Sequence, residues 1–353
     1  MAVDPQTVKR ILIINLAFIG DVLLSTPVAR ALGEAFPGAA IDMMVIPLTA
    51  PLARHNPYIN DVIEYDKRGQ HKKIGELLKL VGQVRARRYD LAVTTNFAPR
   101  GAMLAWAAGI PTRVGYDAQH AGLFLTHTAS AKRVVIRHEA ENYLDVLKPL
   151  GVTTADTSLA LDIDPRDTAA LGDKVRRRPG KKLVLICPAG SYPHKSWTTQ
   201  GYAALIQALT PEADCCLVGG KAEEALLAKI NQETGEAAQV FPGALTLGEL
   251  AALTKEADLM VTVDTAPLHI AQAVGTPVVA LFGPTDPHVW GPRGPRDIVL
   301  QAPTDCSPCW GRAACGDNRC INALSADRVI SAAQALLGEV HCAETGCPHP
   351  HLQ

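Results

Sequence analysis

Apolar residues in this chain gather in short, dense runs separated by longer amphipathic stretches. In the first half, Arg10–Asn15, Ile41–Ile46, Val62–Tyr65, Asp90–Thr95 and the short Arg113–Gly115 read as strands. Between them, Val22–Leu32 and Ile74–Arg87 repeat their apolar positions at helical spacing. A second series has strands at Leu183–Cys187, Cys215–Val218, Leu259–Val263 and Val278–Phe282, then a helix near Ser325–Leu337. Short β-branched runs alternating with helices predict parallel sheets covered on both faces. The stretch between the two series, DIDPRDTAALGDKVRRRPGKK from Asp162 to Lys182, is charged and punctuated by proline and glycine. It reads as a short helix plus an interdomain linker. The expectation is α/β: two doubly wound, Rossmann-like domains, 1–165 and 180–340, facing a central cleft, with a polar tail at 341–353. In such sheets ligands bind at the carboxyl ends of strands, beside helix N-termini.

Composition narrows the function classes. A chain of 353 residues favours two domains. With 34 Lys plus Arg against 35 Asp plus Glu, the net charge is −1, so no overall basic field suits a nucleic-acid partner. A hydrophobic content of 48% argues for folded domains rather than disorder. No apolar stretch reaches the roughly 18 residues of a membrane span. Lys9 and Arg10 precede ILIINLAFIG, which imitates a signal-peptide core. Asp21 follows at once without a small-x-small cleavage site, so a buried first strand in a cytoplasmic protein is the better reading. Nine cysteines, odd in number and clustered late, do not make a secreted disulfide scaffold.

Candidate chemistry sits after the predicted strands. FIGD, Phe18–Asp21, follows the first one. Gly20 allows a tight turn and close substrate approach, and Asp21 is either a helix cap or a general base. The glycine fingerprint of dinucleotide sites is absent here, which disfavours a nicotinamide oxidoreductase. PAGSYPHKSW, Pro188–Trp197, opens the second series. Gly190 and Ser191 form a loop able to offer backbone N–H groups, and Lys195 is a point charge for phosphate. Trp197 begins a helix, and the alternative reading is a surface turn whose Trp packs at a domain edge. The run VDTAPLHIAQAVGTPVVALFGPTDP, Val263–Pro287, is the most specific. Asp264 ends a strand, Thr265 is a helix cap, Pro267 suits a first turn and Gly275 ends the helix. The N-terminus over Thr265–Leu268 is then an anion site. His269, one turn in, is either packed or part of that site.

The ordered set F-x-G-D, P-x-G with K-x-W, D-T-x-P-x-H, F-G-P-T and a C-x-x-C loop resembles glycosyltransferase family 9, the ADP-heptose–lipopolysaccharide heptosyltransferases, from about Lys9 to Leu337. The resemblance implies a GT-B fold and an inverting, metal-independent mechanism. It also implies an ADP-heptose donor in the C-terminal domain and an acceptor in the N-terminal one. By position, Asp21 matches the family's catalytic base and Lys195 the lysine at the donor phosphate or sugar. Asp264, Thr265 and Ala266 match its D-[ST]-G donor run, and His269 its histidine. Ala266 stands where the run has glycine, which keeps a backbone N–H and loses the closest approach to the sugar. Gly190, Ser191 and Tyr192 fall in the donor-side loop. Arg113 in RVGY and His138 in RHEAENY, with Gly20, match acceptor-side positions.

The expected acceptor is an anionic, lipid-linked sugar, with peripheral contact at the inner membrane surface. Lys67, Arg68, Lys72, Lys73, Arg133 and Arg137 add first-domain cations, some able to meet an acceptor's phosphates or carboxylates, though for any single one a solvated helix face is the better reading. Cys306, Cys309, Cys315 and Cys320 fit a structural tetrahedral zinc or iron site, and fit reduced thiols as well. The tail's His341, Cys342, Cys347, His349 and His351 add a weak metal-binding or disordered end. No catalytic cofactor is expected. Three other functions share these features: a GT-B-like sugar-nucleotide epimerase, a transferase with a protein or secondary-metabolite acceptor, and a non-catalytic sugar-nucleotide or metal-binding module.

Overall fold

The computed structural model describes residues 4–338 apart from 133–135, 173, 191, 311–314 and 316. Arg133, Ser191 and the Cys/His tail therefore lie outside the described residues. The chain divides into two compact units, Met1–Asp162 and Ile163–Gln353.

Unit 1 holds strands β1 (Arg10–Ile14), β2 (Ala40–Val45), β3 (Asp61–Glu64), β4 (Leu91–Thr94), β5 (Thr112–Tyr116) and β6 (His127–Ala129). They form one parallel sheet in the order β3-β2-β1-β4-β5-β6. Unit 2 holds β7 (Lys182–Cys187), β8 (Ala213–Gly219), β9 (Gln239–Pro242), β10 (Leu259–Val263), β11 (Val278–Phe282) and β12 (Ile298–Gln301). Their order is β12-β11-β10-β7-β8-β9, again all parallel. Counted from its own first strand, each sheet has the order 3-2-1-4-5-6 of a doubly wound nucleotide-binding domain. The chain reverses direction beside β1 in unit 1 and beside β7 in unit 2. In sheets of this order ligands bind at those switch points, at the strand ends between β1 and β4 and between β7 and β10.

The central strands are apolar throughout because helices cover both faces. Ile11, Leu12, Ile13 and Ile14 are at most 1% exposed, and β10 and β11 are buried along their full length. The edge strands β6, β9 and β12 carry short sequences of mixed polarity (HTA, QVFP, IVLQ), and the sequence pattern does not reveal them.

Two expectations change in detail. The helix read over Val22–Leu32 is two helices, Ile19–Leu24 and Thr26–Ala35. Ser25 marks the break: its N–H bonds back to the Asp21 carbonyl and its hydroxyl to the Val22 carbonyl, and Pro27 restarts the second helix without an N–H to donate. The stretch read as a linker is partly built into unit 2. Helix Pro165–Leu171, capped by Asp164, packs on helix Leu247–Glu256. A side chain at Gly248 would meet Asp167 at 2.2 Å, so glycine permits that close approach. Lys174 then reaches Glu249 at 2.6 Å.

Candidate active site

The residues singled out after β1 and β7 lie at the two topological switch points. In unit 1 the chain leaves β1 through Asn15–Phe18 and enters the helix Ile19–Leu24, with Gly20 and Asp21 in its first turn. Asp21 is half-exposed, and its carboxylate is held from two sides. The Tyr143 hydroxyl donates to Asp21 Oδ1 at 2.6 Å, and the Phe18 N–H donates to Oδ2 at 3.3 Å. An amide network fixes the loop beneath. Asn15 Nδ2 donates to the Asp21 carbonyl at 3.2 Å and to Ser25 Oγ at 2.9 Å. Asn96, past the end of β4, accepts from the Leu16 N–H at 2.6 Å and donates to Asn15 Oδ1 at 3.2 Å. Lys67 Nζ donates to the Leu16 carbonyl at 2.8 Å. Neighbouring strand ends thus lock the turn that presents Asp21.

His138 stands at the N-terminus of a helix in unit 1. It is 2% exposed and caps the helix Glu139–Leu144, its Nδ1 accepting from the Ala140 N–H at 3.3 Å. That helix carries Tyr143. Arg113 is likewise turned into unit 1. Its guanidinium donates to the carbonyls of Phe124 at 2.6 Å and Ile110 at 2.5 Å, bracing the loops around β5.

In unit 2 the loops after β7 and β10 meet. Lys195 Nζ reaches Asp264 Oδ2 at 2.7 Å and the Asp264 carbonyl at 3.2 Å. Both side chains are largely buried, at 12% and 8% exposed. The ammonium also sits over the Tyr192 ring at 5.9 Å. Gly190 makes this possible: a Cβ there would lie 2.5 Å from the Cβ of Lys195. An ammonium has three N–H donors, and these contacts use two.

Thr265 caps the helix Ala266–Val274 in an extended conformation, and its side chain makes no capping hydrogen bond. Pro267 has no N–H, and the Leu268 N–H turns back to the Thr265 carbonyl at 3.1 Å. The anion site expected over Thr265–Leu268 therefore narrows to the Thr265 hydroxyl, the Ala266 amide and the positive end of the helix dipole. Gly275 ends the helix in the left-handed conformation at φ +79°. His269 is packed at 4% exposure, with Nδ1 3.0 Å from Gln272 Oε1 and its ring 6.4 Å from that of Trp290. Trp197 does not begin a helix. It is buried before helix Thr199–Leu209 and donates to the Leu324 carbonyl at 2.9 Å.

The FGPT loop is anchored to the cysteine loop. Ser307 Oγ donates to the Gly283 carbonyl at 2.5 Å, and the Trp310 N–H to the Pro284 carbonyl at 2.7 Å. Gly283 gives room to Ile321 and Cys320, whose atoms would lie 2.9 and 3.3 Å from a Cβ there. Cys320 is buried, Cys309 and Cys315 are half-buried and Cys306 is exposed, all as free thiols. Burial pushes the Cys320 thiol up, and the neighbouring Cys306, Cys309 and Cys315 push it further. Among the described residues no three of these sulfurs come within 4.8 Å of one another.

Tyr143, Asn15 and Asn96 are the residues around Asp21 that sequence patterning missed. Asparagine at a strand end has many uses, and the only signal for Tyr143 was its place one helix turn beyond His138.

The glycosyltransferase family 9 (heptosyltransferase) profile matches residues 77–317. Lipopolysaccharide heptosyltransferase 3 of Escherichia coli is 31% identical over 81% of this chain and 86% of its own. A family 9 glycosyl transferase from Veillonella parvula superposes with a TM-score of 0.86 at 27% identity, covering 96% of this chain and 99% of that one. The E. coli ADP-heptose lps heptosyltransferase II gives 0.81 at 22% identity over 94% and 99%. The fold is thus that of the GT-B transferases, and the chain belongs to glycosyltransferase family 9, the heptosyltransferases.

Proposed function

We propose that this enzyme transfers heptose from ADP-heptose to an acceptor hydroxyl in the inner core of lipopolysaccharide, with inversion at the anomeric carbon and without a metal ion. The observation that carries the reading is the Lys195–Asp264 pair at the β7/β10 switch point, beside the N-terminus of helix Ala266–Val274. The names of the relatives supply the sugar and the acceptor class.

In the reaction the bond between the anomeric carbon and the diphosphate oxygen breaks, and ADP leaves with the electron pair. Negative charge grows on the diphosphate as positive charge grows on the sugar ring. Lys195, oriented by Asp264, directs its third N–H at the leaving oxygens. The Thr265 hydroxyl, the Ala266 amide and the helix dipole add to it, doing electrostatically what a divalent cation does elsewhere. Asp264 itself is anionic and would repel the diphosphate if unpaired, so its pairing with Lys195 serves both groups. The acceptor oxygen attacks the opposite face of the sugar and passes its proton to Asp21, and the anomeric configuration inverts. Tyr143 holds that carboxylate in place.

Calorimetric titration of the purified protein tests the donor assignment. ADP-heptose is expected to bind more tightly than UDP-sugars or NAD, with the preference lost in Lys195→Ala. Tighter binding of a UDP-sugar would move the function to another transferase or to an epimerase.

A further inference from the structure

Three successive backbone N–H groups after β1 are held by side chains. Leu16 donates to Asn96 Oδ1 at 2.6 Å, Ala17 to Asn15 Oδ1 at 3.1 Å and Phe18 to Asp21 Oδ2 at 3.3 Å. Phe18 then caps the helix Ile19–Leu24 in an extended conformation, at φ −84° and ψ 179°. Its backbone is thus fixed, yet its side chain is 67% exposed. Among the described residues no aromatic ring or cation packs on the phenyl ring. Phe97, just past the neighbouring β4, shows the contrast: it packs edge-on against Tyr116 at 4.9 Å. A phenyl ring left in water forgoes the gain of burial, and a loop braced by its scaffold is where folds display binding groups.

The neighbour of this ring decides the ligand. Phe18 and Asp21 are three positions apart across the first helical turn, so their side chains share one face with Cβ atoms about 5–6 Å apart. The carboxylate has roughly four acceptor positions, and the Tyr143 hydroxyl and the Phe18 N–H take two of them. An attacking hydroxyl that gives its proton to Asp21 must come within about 2.6–3.2 Å of a remaining one. The sugar that carries this hydroxyl then stands beside the phenyl face. One side of a pyranose is a layer of C–H bonds, and these meet the negative face of an aromatic ring as another ring's edge does. The hydroxyls project from the rim of the sugar. Stacking therefore fixes the sugar's plane and turns one rim hydroxyl toward the carboxylate. An acyl chain would also cover the ring, but it has no hydroxyl to offer Asp21.

We infer that Phe18 is a specificity-determining residue for the acceptor, a platform that receives the C–H face of the acceptor's terminal sugar and sets which hydroxyl meets Asp21. The inference rests on the transferase reading above.

Calorimetric titration of a deacylated lipopolysaccharide core that ends before the heptose, into the full chain saturated with ADP, tests it. Phe18→Ala should weaken core binding by about tenfold, and Phe18→Tyr should bind within about twofold of the parent. Phe18→Leu should stay close to Phe18→Ala, since it restores apolar bulk without a flat face. ADP affinity and the melting temperature should not move, because the side chain is exposed and the N–H on Asp21 is kept. With ADP-heptose supplied, the Phe18→Ala product should carry heptose on more than one hydroxyl, read by methylation analysis, against one in the parent. Parent-like core binding by Phe18→Ala, full recovery in Phe18→Leu, or an unchanged single linkage would overturn the inference and leave the transferase reading standing. A parent that binds no core would overturn the acceptor reading and this inference together.

Discussion

Tyr143 and Asp21 are separated by 122 positions in sequence and joined by a 2.6 Å hydrogen bond from phenol to carboxylate. Tyr143→Phe removes one donor to an ionised group while keeping the ring buried. The expected result is a fall in kcat of about tenfold, equivalent to about 1.4 kcal/mol, with donor affinity unchanged. Steady-state kinetics checks it. A change in donor KM with kcat intact would mean that Tyr143 serves unit packing only.

Lys195→Ala should weaken donor binding and also slow transfer, by about 10²–10³-fold in kcat, because in the proposed mechanism the charge it meets grows along the reaction. Asp264→Asn should act in the same direction, since the lysine loses its anchor. Calorimetry and rate measurements on the same variants separate binding from chemistry.

Gly190→Ala tests the approach of the two loops. The added methyl would lie 2.5 Å from the Cβ of Lys195, so the lysine must move. Donor affinity should drop toward that of Lys195→Ala while the melting temperature stays within a few degrees, since the loop lies outside the core. Unchanged affinity would place the productive lysine geometry elsewhere.

In the proposed mechanism Lys195 and the helix N-terminus answer the diphosphate charge, so prolonged treatment with EDTA should leave the transfer rate unaltered. A loss restored by added magnesium or manganese would show that the residues do not suffice.

Stability should respond to acid through Lys174 and Glu249. Burial alone would raise the carboxyl's pKa, but the Lys174 ammonium and the Thr246 N–H outweigh it and hold Glu249 below its ordinary 4.5. A depressed carboxylate pKa stabilises the fold above 4.5, and that contribution disappears as pH falls through the lower folded value. Glu249→Gln should therefore cost about 1 kcal/mol at pH 7 in thermal melts. The gap from the parent protein should close below pH 4.5.

The sequence pattern revealed what the sheet centres demand. Ile11–Ile14 and Leu259–Val263 are buried on both faces, so they read as unbroken apolar runs and their ends locate Asp21 and Asp264. β9 and β12 lie at sheet edges, need less apolar surface, and were invisible. Ser25 split a helix whose apolar spacing runs straight through it, because a hydroxyl-to-carbonyl bond leaves no periodic trace. The long-range partners were hidden for a different reason. His138 and Arg113 have the chemistry of ligand groups, and no pattern in the sequence shows that their side chains also bond a helix N-terminus and a loop.

The most direct test mixes the purified enzyme with ADP-heptose and a deacylated lipopolysaccharide core that ends before the heptose, and follows free ADP together with the acceptor's mass. ADP should appear only when both substrates are present, matched by one heptose added per ADP, and Asp21→Ala should abolish both while binding the donor normally. ADP released equally fast without acceptor, or full transfer by Asp21→Ala, would contradict the account.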